Sequence, residues 1–275
     1  MSIYSRLAAL EAQGKEAVLV TVVAARGSVP RHEGSKMLVL PDGSIEGTIG
    51  GGEMEHRVIE EALAALKDDR LRVQEYTFQD PAQGDVGVCG GEIQVVIEPV
   101  KPSPSLLVIG AGHVGNAAAH LGKWLGFEVT VVDDRPEFAE SDEVPDVDRV
   151  VACPMEDITD CVDVHSQTYV LMTTRGVDLD VESLPKLLAT PAAYIGVIGS
   201  RRRWETTVAQ LRQAGISEEQ ISRVTSPMGL ELNAETPEEI AVSVLGQVIM
   251  LRRGGSGDPM AHKPAQRRSK GAESE

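Results

Sequence analysis

The chain has 275 residues, 42% of them hydrophobic, which is enough for a sizeable core and for one or two domains. Its 42 acidic residues outnumber 26 basic ones, and a formal net charge of -16 excludes nucleic acid as an expected partner because phosphate is repelled. No apolar run approaches the ~20 residues of a membrane helix. The N-terminus "MSIYSRLAALEAQGKEA" lacks the basic flank, apolar segment and cleavage site of a signal peptide. Three cysteines, odd in number, show no C-x-x-C spacing for zinc or redox work. The expectation is a cytoplasmic protein with no membrane partner, binding small molecules or other proteins.

In chain order, residues 2–13 read as a helix, with Ile3, Leu7 and Leu10 at helical spacing. "AVLVTVVAA" (17–25) is short and β-branched, hence a strand. "KMLVL-PDG-SIEGTIG" reads as a hairpin turning at Pro41-Asp42-Gly43. A helix follows over about 52–67, then the strands "RVQEYTF" and "GEIQVVIEPV", then a Pro/Ser linker, "KPSPS" (101–105). Residues 1–100 are therefore expected to form a mixed α+β domain.

Beyond the linker, five short apolar strands ("LLVIGAG", "EVTVVDD", "RVVA", "TYVLMTT", "AYIGVIGS") are mostly separated by helical segments. Alternating strand and helix predicts a Rossmann-like, helix-covered parallel sheet over residues 101–253. Its last helix, from Thr236, carries a capping box with Pro237 and Glu239. Residues 254–275, rich in Gly, Ser and basic residues, read as a disordered tail.

Five stretches carry candidate chemistry. In "LLVIGAGHVGNAA", Gly110, Gly112 and Gly115 form G-x-G-x-x-G between a strand and a helix, and Asp133 and Asp134 end the next strand. The glycines allow a tight turn, close approach of a pyrophosphate and helix–strand packing, and the acid suits a ribose hydroxyl. His113 sits in that loop, either touching a phosphate or merely exposed, whereas His120 reads as structural. "YIGVIGSRRRW" repeats the plan: Gly199 and Ser200 close a strand and Arg201, Arg202 and Arg203 open a helix. Cations there oppose the helix dipole. An anion docked by Arg201 offsets that cost, and so does a salt bridge to the chain's own acids.

The first domain holds the other three. "ARGSVPRHEGSKM" places Arg26, Arg31 and Lys36 around a loop fit to present donors to an anion, or around an ordinary surface loop. "GVCGGEI" puts Cys89 on a glycine turn, suited to soft-ligand or sulfur chemistry; as a lone cysteine it also reads as a small buried hydrophobe. Cys153 and Cys161 read as packing residues. The run Gly50-Gly51-Gly52 opens a helix at high entropic cost, explained by an anion-approach loop or by a turn stabilised by Glu53 and Glu55.

These stretches, with "GTIGGGEMEHRVIEEA", "VTVVDDRPE" and "GLELNAETPEEIAVS", resemble the XdhC/CoxI family in their order from about residue 17 to 253. The resemblance implies an accessory factor and chaperone for xanthine dehydrogenase, carbon monoxide dehydrogenase or a related molybdenum hydroxylase, rather than a turnover enzyme. Such a factor binds molybdenum cofactor (molybdopterin or its cytosine dinucleotide form), guards it, supports its sulfuration and delivers it to the apoenzyme. It works with a cysteine desulfurase and is typically a homodimer. The family's glycine motif maps onto Gly50, Gly51 and Gly52, its acid onto Glu55 and its CGG cysteine onto Cys89, a contact for molybdenum or its sulfido ligand. One branch carries a second cysteine where this chain has Glu53. On these grounds the cofactor is expected between the domains, phosphate toward Gly110–Gly115 and metal toward Cys89. Two rival readings stand: an NAD(P)-dependent oxidoreductase, and a non-catalytic nucleotide-sensing interaction module.

Overall fold

A computed structural model describes residues 2–78, 90–139 and 147–260. Cys89 and residues 261–275 of the expected tail lie outside the described residues. Two sheets account for the strands. The first contains β1 (Ala17–Arg26), β2 (Lys36–Val39), β3 (Ile45–Gly47), β4 (Arg72–Thr77) and β5 (Glu92–Val100), all antiparallel, in the order β3-β2-β1-β5-β4.

Alternation along β1 sorts its side chains between two helices. Val18, Val20 and Val22 face α2 (Gly52–Asp68), meeting Met54, Val58, Ala62 and Ala65. Ala17 and Leu19 face α1 (Ile3–Ala12), meeting Leu7 and Leu10. Period 2 in the strand and period 3.6 in the helices thus give a covered sheet. The expected hairpin is β2–β3, closed by a turn in which Leu40 N–H donates to Ser44 O.

Residues 101–104 lead into the second sheet, formed by β6 (Ser105–Ile109), β7 (Glu128–Asp133), β8 (Arg149–Ala152), β9 (Thr168–Met172), β10 (Tyr194–Val197) and β11 (Val224–Thr225). All its pairings are parallel, in the order β11-β10-β9-β6-β7-β8. Numbered within this sheet, the order is 3-2-1-4-5-6, that of a dinucleotide fold. The chain reverses between β6 and β9, and a switch point opens at their carboxyl ends.

Helices cover both faces. Leu106 and Val108 pack with α3 (His113–Trp124) and α9 (Pro237–Arg253), while Leu107 and Ile109 pack with α6 (Val177–Leu188) and α7 (Arg201–Gln213). Three short helices, α4 (Pro136–Ala139), α5 (Ile158–Cys161) and α8 (Glu218–Ile221), fill the connections. With both faces covered, β9 is buried throughout and, past Thr168, rich in apolar side chains. The capping box at Thr236 and Glu239 forms as expected. Among the described residues no helix is long and apolar enough to cross a membrane.

One expectation is corrected. Cys153 and Cys161 are joined as a disulfide that closes the segment between β8 and α5. Their eight-residue spacing carried no pairing signal, because what brings them together is the short turn at Met155–Asp157.

Candidate functional site

The structure gathers the candidate residues into two groups. At the tip of the antiparallel sheet, three motifs meet where β1 ends and β5 begins. A Cβ on Gly91 would lie 2.4 Å from Ser28 O, one on Gly27 2.9 Å from Gly90 O, and one on Gly50 2.6 Å from the Pro30 ring. The loop after β1, the triple glycine and the turn that follows Cys89 are therefore one packed unit. Gly50, Gly51 and Gly52 have φ of 142°, 76° and 67°, and this left-handed run is what the glycines make possible.

Glu55 holds that turn. Its Oε2 accepts from Thr48 Oγ1 at 2.6 Å, Ile49 N–H at 3.1 Å and Gly51 N–H at 3.2 Å. Glu53 pairs with Arg57. A cavity of about 330 Å³ lies on the sheet beside the tip, lined by Arg26, Glu75, Tyr76 and Glu92. Burial pushes the Tyr76 phenol up. Arg26 and Arg31 are exposed with no hydrogen-bond or ion-pair partner among the described residues. Lys36 does not belong here: it donates to Thr21 and lies over the Tyr4 ring, because β2 carries it toward α1.

The second group sits at the carboxyl ends of the parallel strands. Gly110 turns with φ 109°. A Cβ on Gly115 would stand 1.9 Å from Gly110 O, so only glycine lets α3 start this close to β6. A Cβ on Gly112 would meet nothing within 4 Å, which leaves open space over the start of α3. This helix has neither a side-chain cap nor an acid in its first turn, and its leading N–H groups favour an anion. His113 is exposed there. Ser200 begins α7 and caps it, accepting from Arg203 N–H at 3.3 Å. Arg201 and Arg202 are exposed, without partners among the described residues.

A small cavity of about 60 Å³ opens at the switch point, lined by Gly110, Gly112, Asp133, Arg135, Thr174 and Arg175 among others. Asp133 does not offer a free carboxylate to it. Only 2% exposed, it accepts from Arg135 N–H (3.0 Å) and Arg135 Nε (2.8 Å) at Oδ1, and from Ala111 N–H (2.8 Å) and Arg135 Nη2 (3.0 Å) at Oδ2. Four donors use its four lone-pair directions. Asp134 is held by both terminal nitrogens of Arg175, at 2.5 and 2.6 Å, and this guanidinium keeps its carboxyl below the ordinary range.

Arg203 is also spent, as a strut between two strand ends. Its guanidinium donates to Asp180 Oδ2, Thr174 O and Oγ1, and Gly176 O. Asp180 is fully buried, and burial pushes its carboxyl up against the opposing bonds from Thr174 and Arg203. For this member of the arginine cluster, the salt bridge is the outcome. Arg135, Arg175 and Asp180 were not among the expected site residues. For Arg135 and Arg175 the sequence signal was their place just past a strand end.

Glycine motifs of the two groups do not line a common cavity among the described residues. The tip lies at the Arg26 end of β1, whereas the Ala17 end adjoins the parallel sheet. There Glu16 accepts from Ser166 Oγ, and Gly14 packs on the His165 ring. These contacts touch the amino ends of the parallel strands, opposite Gly110–Gly115. The largest cavity described, about 930 Å³, lies at this junction and holds none of the expected site residues.

His165 at the junction is structural. Its Nδ1 accepts from Gln167 N–H, which leaves Nε2 to donate to Ser105 Oγ, and Ser105 Oγ donates to Thr168 Oγ1. Burial holds the imidazole below its ordinary value, against Glu128, Asp163 and Glu16. No group of three or more His, Cys, Asp or Glu side chains among the described residues is arranged to hold a metal ion.

Comparison with known proteins agrees with this architecture. A family model described as the XdhC Rossmann domain matches residues 106–248, more than half of the chain, and one for the XdhC and CoxI family matches residues 10–77. The uncharacterized protein YqeB of Escherichia coli (strain K12) is 37% identical over 262 residues, covering 94% of this chain and 48% of YqeB. A probable xanthine dehydrogenase subunit from Bacillus subtilis (strain 168) is 29% identical, over 57% of this chain and 46% of that protein. The chain thus spans about half the length of each of these two relatives. The molybdenum cofactor insertion chaperone PaoD of Escherichia coli (strain K12) is 26% identical over 87% of this chain and 84% of PaoD. A crystal structure described as a xanthine dehydrogenase from Bacillus halodurans is 23% identical, covering 92% of this chain and 96% of that one, with a TM-score of 0.49. With both family domains present in sequence, the chain belongs to the XdhC/CoxI family.

Proposed function

We propose that this chain is a maturation factor for a molybdenum hydroxylase of the xanthine or carbon monoxide dehydrogenase type. It takes up molybdenum cofactor as cargo, shields it from oxidation, supports exchange of an oxo ligand for sulfur, and passes it to the apoenzyme. A relative described as a molybdenum cofactor insertion chaperone, aligned over most of both chains, supports this reading.

The observation that carries it is the open start of α3 at the switch point, beside a carboxylate that is already saturated. A plain NAD site needs that carboxylate for the ribose diol, so a nicotinamide oxidoreductase fits less well than an anionic cargo does. Gly110, Gly112, His113, Gly115, Ser200 and Arg201 are assigned to the cargo's phosphate end. Asp133 keeps its place in the site as the anchor of Arg135. The tip residues Gly50, Gly51 and Gly52, braced by Glu55, are assigned with Cys89 to the metal end, where a thiolate supplies a soft contact. Because the two groups lie at opposite ends of one chain, the tip serving a given switch point is that of the partner protomer in a homodimer. A cysteine desulfurase is the sulfur donor in this scheme.

The test is purification from molybdenum-replete cells, followed by metal analysis and fluorescence of the released, oxidised pterin. Molybdenum and pterin in comparable amounts are expected. Absence of both, with NAD(P) tightly bound, would overturn the reading. For the metal end, unchanged cofactor retention and delivery by Cys89→Ser would remove the thiolate.

A further inference from the structure

Two adjacent carboxylates, one ending β7 and one just past it, are each held by an arginine in a different way. Asp133 is buried and bonded on all sides, with Arg135 folded back onto it. Asp134 is partly exposed, and its partner Arg175 has a side chain 52% exposed. The pair is bidentate and of the stronger kind, so an anion replacing Asp134 must offer the same fork with more charge. Both arginines line the switch-point cavity, next to the open backbone at Gly112. Arg203 ties the start of α7 to Thr174, another lining residue.

From these contacts we infer that the switch point selects its ligand by a phosphate monoester seated on Arg175 beside Arg135, and that it discriminates against ligands offering only a free ribose diol. Asp134 is the placeholder. Its single negative charge occupies the Arg175 guanidinium until a dianionic phosphate, which accepts the same two parallel N–H bonds, displaces it. Asp133 stays bound to Arg135 and to Ala111 N–H, keeping the first guanidinium in place and leaving a diol nothing to bond. This inference rests on the switch point being a ligand site, and it names the ligand chemistry of that site. A pterin's own phosphate and a 2′-phosphorylated nucleotide share it; a dinucleotide ending in an unmodified ribose does not.

NADP+ and NAD+ differ only in the 2′-phosphate and serve as the probe pair, titrated calorimetrically into full-length chain from molybdenum-starved cells. NADP+ is expected to bind roughly tenfold tighter than NAD+, with inorganic phosphate competing more strongly against NADP+ than against NAD+. Asp134→Asn, which removes the placeholder, widens the preference. Arg175→Gln abolishes it, and Arg175→Lys, which keeps the charge without the fork, restores part of it. Arg135→Ala removes two of the four donors to Asp133 and shifts the preference toward NAD+. Equal affinities in the unmodified chain, no binding of either nucleotide, or a preference that survives Arg175→Gln would overturn the inference. Chain from molybdenum-replete cells separates the sources: loss of NADP+ binding upon pterin loading assigns the clamp to the pterin phosphate, and additive binding assigns it to a nucleotide. Because pterin content is measured separately, the cargo reading and the phosphate preference fail independently.

Discussion

The tip of the antiparallel sheet and the switch point of the parallel sheet solve the same local problem by opposite means. Each starts a long helix from glycine with no hydroxyl cap, α2 from Gly51 and α3 from Gly112. At the tip the chain supplies its own anion, because Glu55 reaches back to Ile49 and Gly51 N–H. At the switch point the nearby acid is turned to Arg135 and Ala111 instead, and α3 is left without an acid in its first turn. Identical glycine chemistry thus makes a closed brace in one place and an open anion seat in the other. The neighbouring carboxylate decides which.

Three measurements sharpen or break this contrast. The largest effect is expected within the switch point itself. Gly115→Ala forces a methyl group to within 1.9 Å of Gly110 O and should lower urea-unfolding stability by about 3 kcal/mol. Gly112→Ala meets open space and should stay within about 0.5 kcal/mol. Equal costs at the two positions would show that α3 does not start against β6 as described.

At the tip, Glu55→Ala leaves two backbone N–H groups and the Thr48 hydroxyl without their acceptor, an expected loss of about 2 kcal/mol. Glu55→Gln keeps one acceptor oxygen and should lose less. A neutral Glu55→Ala would mean that the glycine turn holds itself and that its carboxylate is available to a ligand.

The smallest effect lies at the junction. The His165 imidazole is held below the 6.5 of the unfolded chain by burial. The unfolded state therefore binds the proton more readily, and the stabilisation is complete above 6.5 and lost as pH falls toward the folded value. Moving from about pH 7.5 to about pH 5.5 should lower the stability, and His165→Gln should flatten the difference. An unchanged slope in that variant would place the pH sensitivity elsewhere.

Much of this architecture was legible because local pattern sets it. β-branched runs mark β1 and β9, helical spacing marks α2 and α3, and the capping box marks α9. The two-residue β11 has no periodicity to read, so the sixth parallel strand goes unnoticed. At the site, glycines announced both turns, because positive φ and close approach are demands made on single residues. The partnerships were not legible. Arg203 finds Asp180 across 23 positions and Asp134 finds Arg175 across 41, distances over which only the folded sheet supplies the register. Nor does a linear motif order say which end of a strand a loop occupies, and this is why Gly50–Gly52 and Gly110–Gly115 read as neighbours.

Their separation has a mechanical side. β1, ten residues long, extends about 30 Å from the junction to the tip, and the switch point lies beyond the junction at the far ends of the parallel strands. The molecule is therefore two-headed. Within one protomer a ligand engaged at one head does not cover the other, and among the described residues the two are linked by residues 101–104 and the contact of Gly14 and Glu16 with His165 and Ser166. Such a shape lets a carrier stay attached to what it holds while its opposite end meets something else.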